Sequence, residues 1–434
     1  MKRIYWNAFE MNCVGHINHG LWKIPGNKRA HYKNLEYWTD LAKTLEKGRF
    51  DALFLADVVG LYDVYKGGLD TSIKEAVQIP ANDPFIPISA MAHVTSNLSF
   101  AVTFSTSYEH PYGFARRMST LDHLTNGRIA WNIVTSHLES ADKNFEVKQY
   151  LDHDEKYDLA EEFLEVCYKL WELSWDNDAV SLENNDCYAS PSKVHKINHK
   201  GKYFNVPGPH ICEPSPQRTP VIYQAGMSER GRYFAAKNAE CIFLGGKDID
   251  TIKWFIKDIK NKAFSLGRSQ NEIKFFMGLC IITGLTDDAI REKIELYKAF
   301  WSVEGNLAHY CGGQNLDLSK YEKEDILNGS KVTDILDNLR KIDGKWFRVI
   351  TGKPVEVVNQ IQSIIEETDI DGFNLVQFHS PHTFEDFINY IVPELQNREL
   401  YQKDYSPGTY REKLFYGKHE YKFNNFYYNP PKDI

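Results

Sequence analysis

The segment Thr219-Pro220-Val221-Ile222-Tyr223-Gln224-Ala225-Gly226-Met227-Ser228 runs a short apolar stretch into Gly and Ser just before a helical pattern. Such a junction suits an anion. Gly226 permits a tight turn, Ser228 can cap the helix, and the N–H groups of the first helical turn face outward; a phosphate is the natural guest, with a plain Ser-capped turn as the alternative. A second cluster, His153-Asp154-Glu155-Lys156-Tyr157, opens another helical pattern and sets His153 and Tyr157 four residues apart on one face. Other chemistry-bearing groups gather after further short apolar runs: Cys13, His16 and His19 in the first, Asp57 and Tyr62 in the second, then Thr103 to Tyr108 and Asn132 to His137. So many hydrogen-bonding and titratable groups at equivalent places fit a binding cup better than a structural surface.

Several familiar chemistries do not fit. His16 with His19, or His195 with His199, lack a third ligand at a metal spacing, which argues against a metal site. Neither a G-x-x-x-x-G-K-[ST] loop nor a G-x-S-x-G elbow occurs, so a P-loop nucleotide site and a hydrolase nucleophile are both disfavoured. Cys13 and His16 could form a thiolate–imidazole pair, although a buried, inert Cys beside a packed His is the commoner arrangement.

The elements that must position these groups alternate regularly. Strands are expected at 4–8, 52–56, 98–104, 129–134, 220–225, 241–244, 275–282 and 372–377, and helices near 34–47, 83–96, 112–125, 155–172, 228–238, 249–266, 286–300, 354–368 and 383–397. Eight βα pairs with near-continuous apolar strands predict an α/β fold, a (β/α)8 TIM barrel with insertions, spanning residues 1–434 as one domain. An open doubly wound sheet is the runner-up, but the Gly-rich turn it would carry after its first strand is missing. Residues 176–218 and 301–347 read as insertions on the barrel, lids or binding loops in most barrels and packing arms otherwise. The aromatic and charged tail, 401–434, is expected to wrap the surface or a neighbouring subunit.

Composition narrows the class of partner. A net charge of −8 without a long basic run disfavours nucleic acid, and no run approaches membrane-spanning length. The two basic residues at the start are followed by a strand-like Ile4-Tyr5-Trp6-Asn7 rather than the apolar core of a signal peptide. Seven widely spaced cysteines without a C-x-x-C pair suit a reduced, cytoplasmic compartment. Aromatic residues make up 14% and many fall between the regular elements, which hints at a deep apolar pocket.

The string Asn126-Gly127-Arg128-Ile129-Ala130-Trp131-Asn132-Ile133-Val134-Thr135-Ser136, with Asn144-Phe145, the His153 to Tyr157 segment, Gln224 to Glu229 and Gly352-Lys353-Pro354, resembles the bacterial luciferase-like flavin-dependent monooxygenases. Within them the match is to the nitrilotriacetate and dibenzothiophene sulfone group. Asn7 to His16 and Phe50 to Gly60 resemble its long-chain alkane-oxidising members in particular, and motif order is kept from about residue 4 to Leu414. The resemblance implies a barrel that takes reduced FMN from a separate NAD(P)H:flavin reductase and uses O2, through a C4a hydroperoxide, to oxidise an apolar small molecule. Terminal hydroxylation of a long-chain alkane comes first; a sulfone, aldehyde or organosulfur substrate, or a flavin-binding barrel without activity, are the alternatives. It implies flavin contacts at Asp57, Thr103, His153, Tyr157 and Ser228, pocket residues at Cys13, His16, Tyr62, His137 and His309, and a homodimer or homotetramer. Two positions depart from the family: Glu146 stands where Asn-Phe-Gly has its glycine, and Cys311 interrupts the glycines beside His309.

Overall fold

The computed structural model describes residues 2–147, 151–180, 187–246, 248–327, 329–342 and 346–416. The strands β1 (Tyr5–Met11), β2 (Ala52–Ala56), β3 (Ser99–Ser105), β4 (Ile129–Val134), β5 (Val221–Gln224), β6 (Cys241–Leu244), β7 (Lys274–Thr283) and β8 (Gly372–Val376) pair in parallel around a closed ring. β7 closes it. Its first residues, Lys274 to Met277, pair with β6, while Phe276 to Cys280 pair with β8 on the other edge. Its last residues, Leu279 to Thr283, take a further strand, Arg348–Gly352, which continues the β6 edge upward. The barrel expected from the βα alternation is the fold observed, and the open sheet is excluded by this closure.

Alternation along each strand explains why the runs read as continuously apolar. Trp6, Ala8, Leu53, Leu55, Phe100, Val102 and Trp131 face the helical layer, whereas Tyr5, Phe9, Phe54, Ala101, Ala130, Tyr223 and Phe276 fill the barrel. Both faces are buried, so no polar side of the strand is needed. The outer layer is built by α1 (Leu35–Lys47), α2 (Ile88–His93), α3 (Pro111–Leu124), α4 (His153–Tyr168), α5 (Glu229–Asn238), α6 (Ile249–Ser265), α7 (Asp287–Phe300) and, after the insertion helix α8 (Val303–Gln314), α9 (Pro354–Thr368). The helix expected at 383–397 is observed as one uninterrupted helix over 382–397, with a widened turn at Phe387–Ile391 just before Pro393, which withholds an N–H.

The two insertions do different work. The described part of 176–218 packs on the outside of α3 and α4: Glu162 accepts from the backbone N–H groups of Tyr203 and Phe204, and Ser119 meets His210 at 2.9 Å. It is a packing arm. The 301–347 insertion instead folds α8 and a helix at Val332–Leu339 onto the loop after β2, forming an apolar cluster with Tyr62, Tyr65 and Leu138.

Of the tail expected to wrap the surface or a neighbouring subunit, 417–434 lie outside the described residues, and the described part, 401–416, plugs the lower mouth of the barrel. Tyr410 and Tyr223 hydroxyls meet at 2.6 Å, and Tyr5 donates to the carbonyl of Leu414 at 2.9 Å. Arg411, fully buried, gives Nε to Glu240 at 2.7 Å and Nη2 to Glu240 at 3.0 Å and to the Thr219 carbonyl at 2.9 Å. Removing one partner strands a buried charge. Arg411→Ala is expected to cost about 3–5 kcal/mol, read as a lowered urea midpoint; a change below about 1 kcal/mol would show that this pair does not hold the plug.

Candidate functional site

At the end of β5, Ser228 caps α5, its Oγ accepting from Gly231 N–H at 3.0 Å. Gly226 is required here for a reason other than turn geometry: a Cβ would collide with the Tyr157 hydroxyl and the Gln224 amide. The facing wall is the start of α4. Asp152 caps it through a reciprocal pairing with Glu155, accepting from the Asp154 and Glu155 N–H groups at 2.9 Å each. His153 is exposed at the first position, its ring edge-on to Tyr157 with centroids 5.3 Å apart, and Tyr157 is buried one turn on. A cavity of about 450 Å³ lies between these jaws, lined by His153, Lys156, Tyr157, Gly226 and Ser228, and by Ser136 and His137 from the end of β4. Lys156 supplies positive charge at this wall, with Nζ 3.0 Å from Asp142. Sequence reasoning passed over it, although its place three residues after His153 puts both near one face of the helix.

A second chamber of about 520 Å³ adjoins the first, and the two share Asp57, Val58, Val59, Gly60, Val134 and Ser136 as walls. Thr103 lines its base and its Oγ1 accepts from the Asn132 amide at 2.9 Å. Ile79, Pro80, Phe85 and Phe104 make much of the remaining wall apolar. Tyr108 and Phe145 stack across its rim at 4.4 Å, and the Tyr108 hydroxyl donates to Asp142 at 2.8 Å. Glu146, the departure from the family's glycine, keeps a left-handed backbone at φ 48°, so the chain makes the same kind of turn without that glycine.

Asp57 stands where the chambers meet, and burial, followed by the neighbouring Asp83 carboxylate, pushes its carboxyl up to about 7. Asp83 is a further residue that the sequence reading missed; it reaches Asp57 from a different loop, and no local spacing announces that.

The pocket residues implied by resemblance are not all brought together. His137 is exposed and lines the first chamber. Cys13, His16, Tyr62 and His309 are buried in a separate layer, and the walls of the two chambers do not include them. Residues 78–82 are the partition between. Gln78, which lines the larger chamber, accepts from the Tyr62 hydroxyl at 3.1 Å and donates to the His16 carbonyl at 2.8 Å. Ala81, on the same wall, bridges to Cys13. Tyr62 and His309 rings lie edge to face at 4.8 Å. Gly312, one turn after His309, packs where a side chain would press into the Tyr62 ring.

Burial keeps the Cys13 and His16 side chains uncharged, beside the buried Arg29–Glu10 ion pair. It pushes the Cys13 thiol up to about 12, and together with the Arg29 guanidinium it drives His16 well below the usual imidazole range. The thiolate–imidazole pairing considered for Cys13 and His16 is therefore not what the geometry offers; His16 packs against Phe9 at 4.6 Å instead. His19 does not turn toward a shared site with His16 either, but meets His309, its Nε2 2.8 Å from His309 Nδ1.

The chain belongs to the luciferase-like monooxygenase family, whose model matches residues 19–371, and it is accordingly an oxidoreductase. It is 64% identical over 423 residues to the long-chain alkane monooxygenase of Geobacillus thermodenitrificans, covering 97% of this chain and 96% of that protein. With the dimethyl-sulfide monooxygenase of Hyphomicrobium sulfonivorans it shares 46% identity over 95% and 90% of the two chains. Among solved structures, a riboflavin lyase with modified FMN and riboflavin superposes with a TM-score of 0.91 at 35% identity, covering 96% of each chain.

The raised carboxyl of Asp57 gives a signed prediction. Its folded-state value near 7 exceeds the unfolded 3.8, so the folded protein binds the extra proton in that window and loses stability as pH rises through it. Asp57→Asn removes this cost. Ligand-free Asp57→Asn should match the parent in thermal stability near pH 4 and exceed it by about 2–4 kcal/mol at pH 8; a difference independent of pH would show that Asp57 ionises normally.

Proposed function

We propose that this chain is the oxygenating component of a two-component, FMN-dependent monooxygenase that hydroxylates the terminal carbon of a long-chain alkane. The observation that carries the reading is the pair of joined chambers: one end suited to an anion, the other largely apolar, with the uncharged Cys13 and His16 behind the partition. Near-complete coverage by an alkane monooxygenase at 64% identity supports the substrate class.

The residues fit FMN. Ser228, His153, Tyr157 and Lys156 would hold its phosphate, the capped helix start of α5 adding N–H groups and the space left by Gly226 allowing close approach. Asp57 and Thr103 would meet the ring system at the junction and base of the larger chamber. Reduced FMN supplies the electrons with which O2 is activated. The protein's own part is to keep water out and to set the donors. Tyr108 and Phe145 cover the rim, while Ile79, Pro80, Phe85 and Phe104 offer a substrate surface without hydrogen-bond partners. His137 lines the first chamber, where desolvation of its ring and the nearby Lys156 ammonium hold its imidazole below the usual range and so favour the neutral form. A separate NAD(P)H:flavin reductase would deliver reduced FMN, a division of labour supported by the 30% identity to a relative named nitrilotriacetate monooxygenase component A.

An organosulfur substrate is the second reading, favoured by the 46% identity to a dimethyl-sulfide monooxygenase. Supplied with chemically reduced FMN, 18O2 and hexadecane, the protein should release 1-hexadecanol carrying one labelled oxygen. Label entering dimethyl sulfide products alone would shift the assignment to the second reading, and flavin oxidation without label in either would overturn both. Gly226→Ala tests the phosphate end separately: its methyl meets the Tyr157 hydroxyl, so FMN affinity by fluorescence titration should fall about tenfold or more while riboflavin, lacking the phosphate, binds as weakly as to the parent.

A further inference from the structure

His19 lies on the loop after β1, fully buried, and takes no part in the site as assigned by resemblance. It grips α8 at two points. Its carbonyl accepts from the N–H of Ser302, the cap of that helix, at 3.0 Å, and its Nε2 lies 2.8 Å from Nδ1 of His309 two turns further along. Gly305 makes the approach possible, since a Cβ there would stand 2.8 Å from that of His19. The other ring nitrogen of His19, Nδ1, is buried and meets no hydrogen-bond partner among the described residues.

That asymmetry fixes the proton. A 2.8 Å contact between two imidazole nitrogens needs one donor and one acceptor. Were His309 the donor, His19 would have to carry its hydrogen on Nδ1, leaving a buried N–H without an acceptor. With the hydrogen on His19 Nε2, the orphan at Nδ1 is a lone pair, which is the cheaper group to leave unmatched. Burial holds His19 down to about 3, so a doubly protonated His19 is not an alternative. His309 must then accept at Nδ1 and carry its own hydrogen on Nε2. Its ring is clamped in that orientation by Trp346, stacked at 4.5 Å, and by the edge contact with Tyr62 at 4.8 Å.

We infer that His19 is a positioning residue: through its Nε2–H it sets the orientation and tautomer of His309, so that any part His309 takes in the proposed reaction is as a hydrogen-bond donor from Nε2 and not as a base at Nδ1. The inference rests on the proposed monooxygenase reading for its kinetic consequence, but its structural half does not. In flavin-free protein labelled with 15N-histidine, and with the signals assigned by loss in His309→Gln, His309 should show a protonated Nε2 and an unprotonated, hydrogen-bonded Nδ1. Protonation at Nδ1 would overturn the inference whatever the activity. His19→Gln keeps an N–H donor of similar reach, whereas His19→Leu removes it. The leucine variant should mix the His309 tautomers and lower kcat about 10- to 100-fold at an unchanged KM for reduced FMN, and the glutamine variant should restore both to within about threefold of the parent. Should His19→Leu fail to fold, the tautomer in the parent and the activity of His19→Gln still decide: a glutamine variant that folds but stays as impaired as His309→Gln counts against the inference. Absence of oxygenation by the parent itself would sink the functional reading while leaving the tautomer result intact.

Discussion

Everything at this site depends on the way one strand closes the sheet. β7 has ten residues where β5 and β6 have four, and it uses that length to pair with β6 below, the Arg348–Gly352 strand above, and β8 along its other edge. A ring of eight parallel strands has no free edge, and it turns every strand's carboxyl end toward the same rim. Groups as far apart in sequence as Asp57, Thr103, His137 and Ser228 thereby line two adjoining chambers. The lower mouth has to be sealed for the same reason, and the chain does this with its own later residues, Tyr410, Arg411 and Leu414, rather than with solvent.

The barrel strands were legible because both of their faces are buried. An apolar run bounded by turn residues leaves little room for another reading when a helical pattern follows each one. The two capped helix starts of the first chamber were legible for a local reason: such a start is written within four or five residues, as at Asp152 to Glu155 and at Ser228 to Gly231. What escaped was whatever depends on loop path. The helix α8 buries residues almost all round its axis, from Gly305 to Gly312, so it shows no apolar stripe of helical period, and the expected insertion carried no internal structure. The strand at Arg348–Gly352 is only partly buried and mixes Arg and Thr with two apolar residues. Gln78, Asp83 and His19 belong to the same class. Each acts on a partner from another segment, and in the case of His19 that partner is 290 residues away.

The family resemblance supplied residue roles that local chemistry alone would not have ranked, and the structure sorts them by depth. Ser228, His153 and Tyr157 stand on the anion end, and Asp57 and Thr103 line the larger chamber. His137 opens to solvent, and Cys13, His16, Tyr62 and His309 lie behind the partition of residues 78–82. Depth in turn decides charge. A buried thiol pushed to about 12 and imidazoles driven well below their usual range are neutral over the whole working pH scale, so the inner layer can direct hydrogen bonds without drawing in counter-ions or water.

That arrangement suits the oxidation of an apolar molecule in particular. An alkane offers no polar handle, so recognition must come from excluded water and shape, and a charged residue in the wall would have to be solvated at the expense of the substrate. Placing ionisable contacts around Ser228, His153 and Lys156, and neutral donors behind the apolar wall, separates the two demands of the proposed reaction. Asp57 joins them, beside the Asp83 and Glu109 carboxyls that also line the larger chamber: at the junction of the chambers, with a carboxyl near 7, it changes between donor and charged acceptor under ordinary conditions. A group that can do both belongs where an anionic cofactor meets a largely apolar chamber, because either fixed state would be wrong for one of its two neighbours.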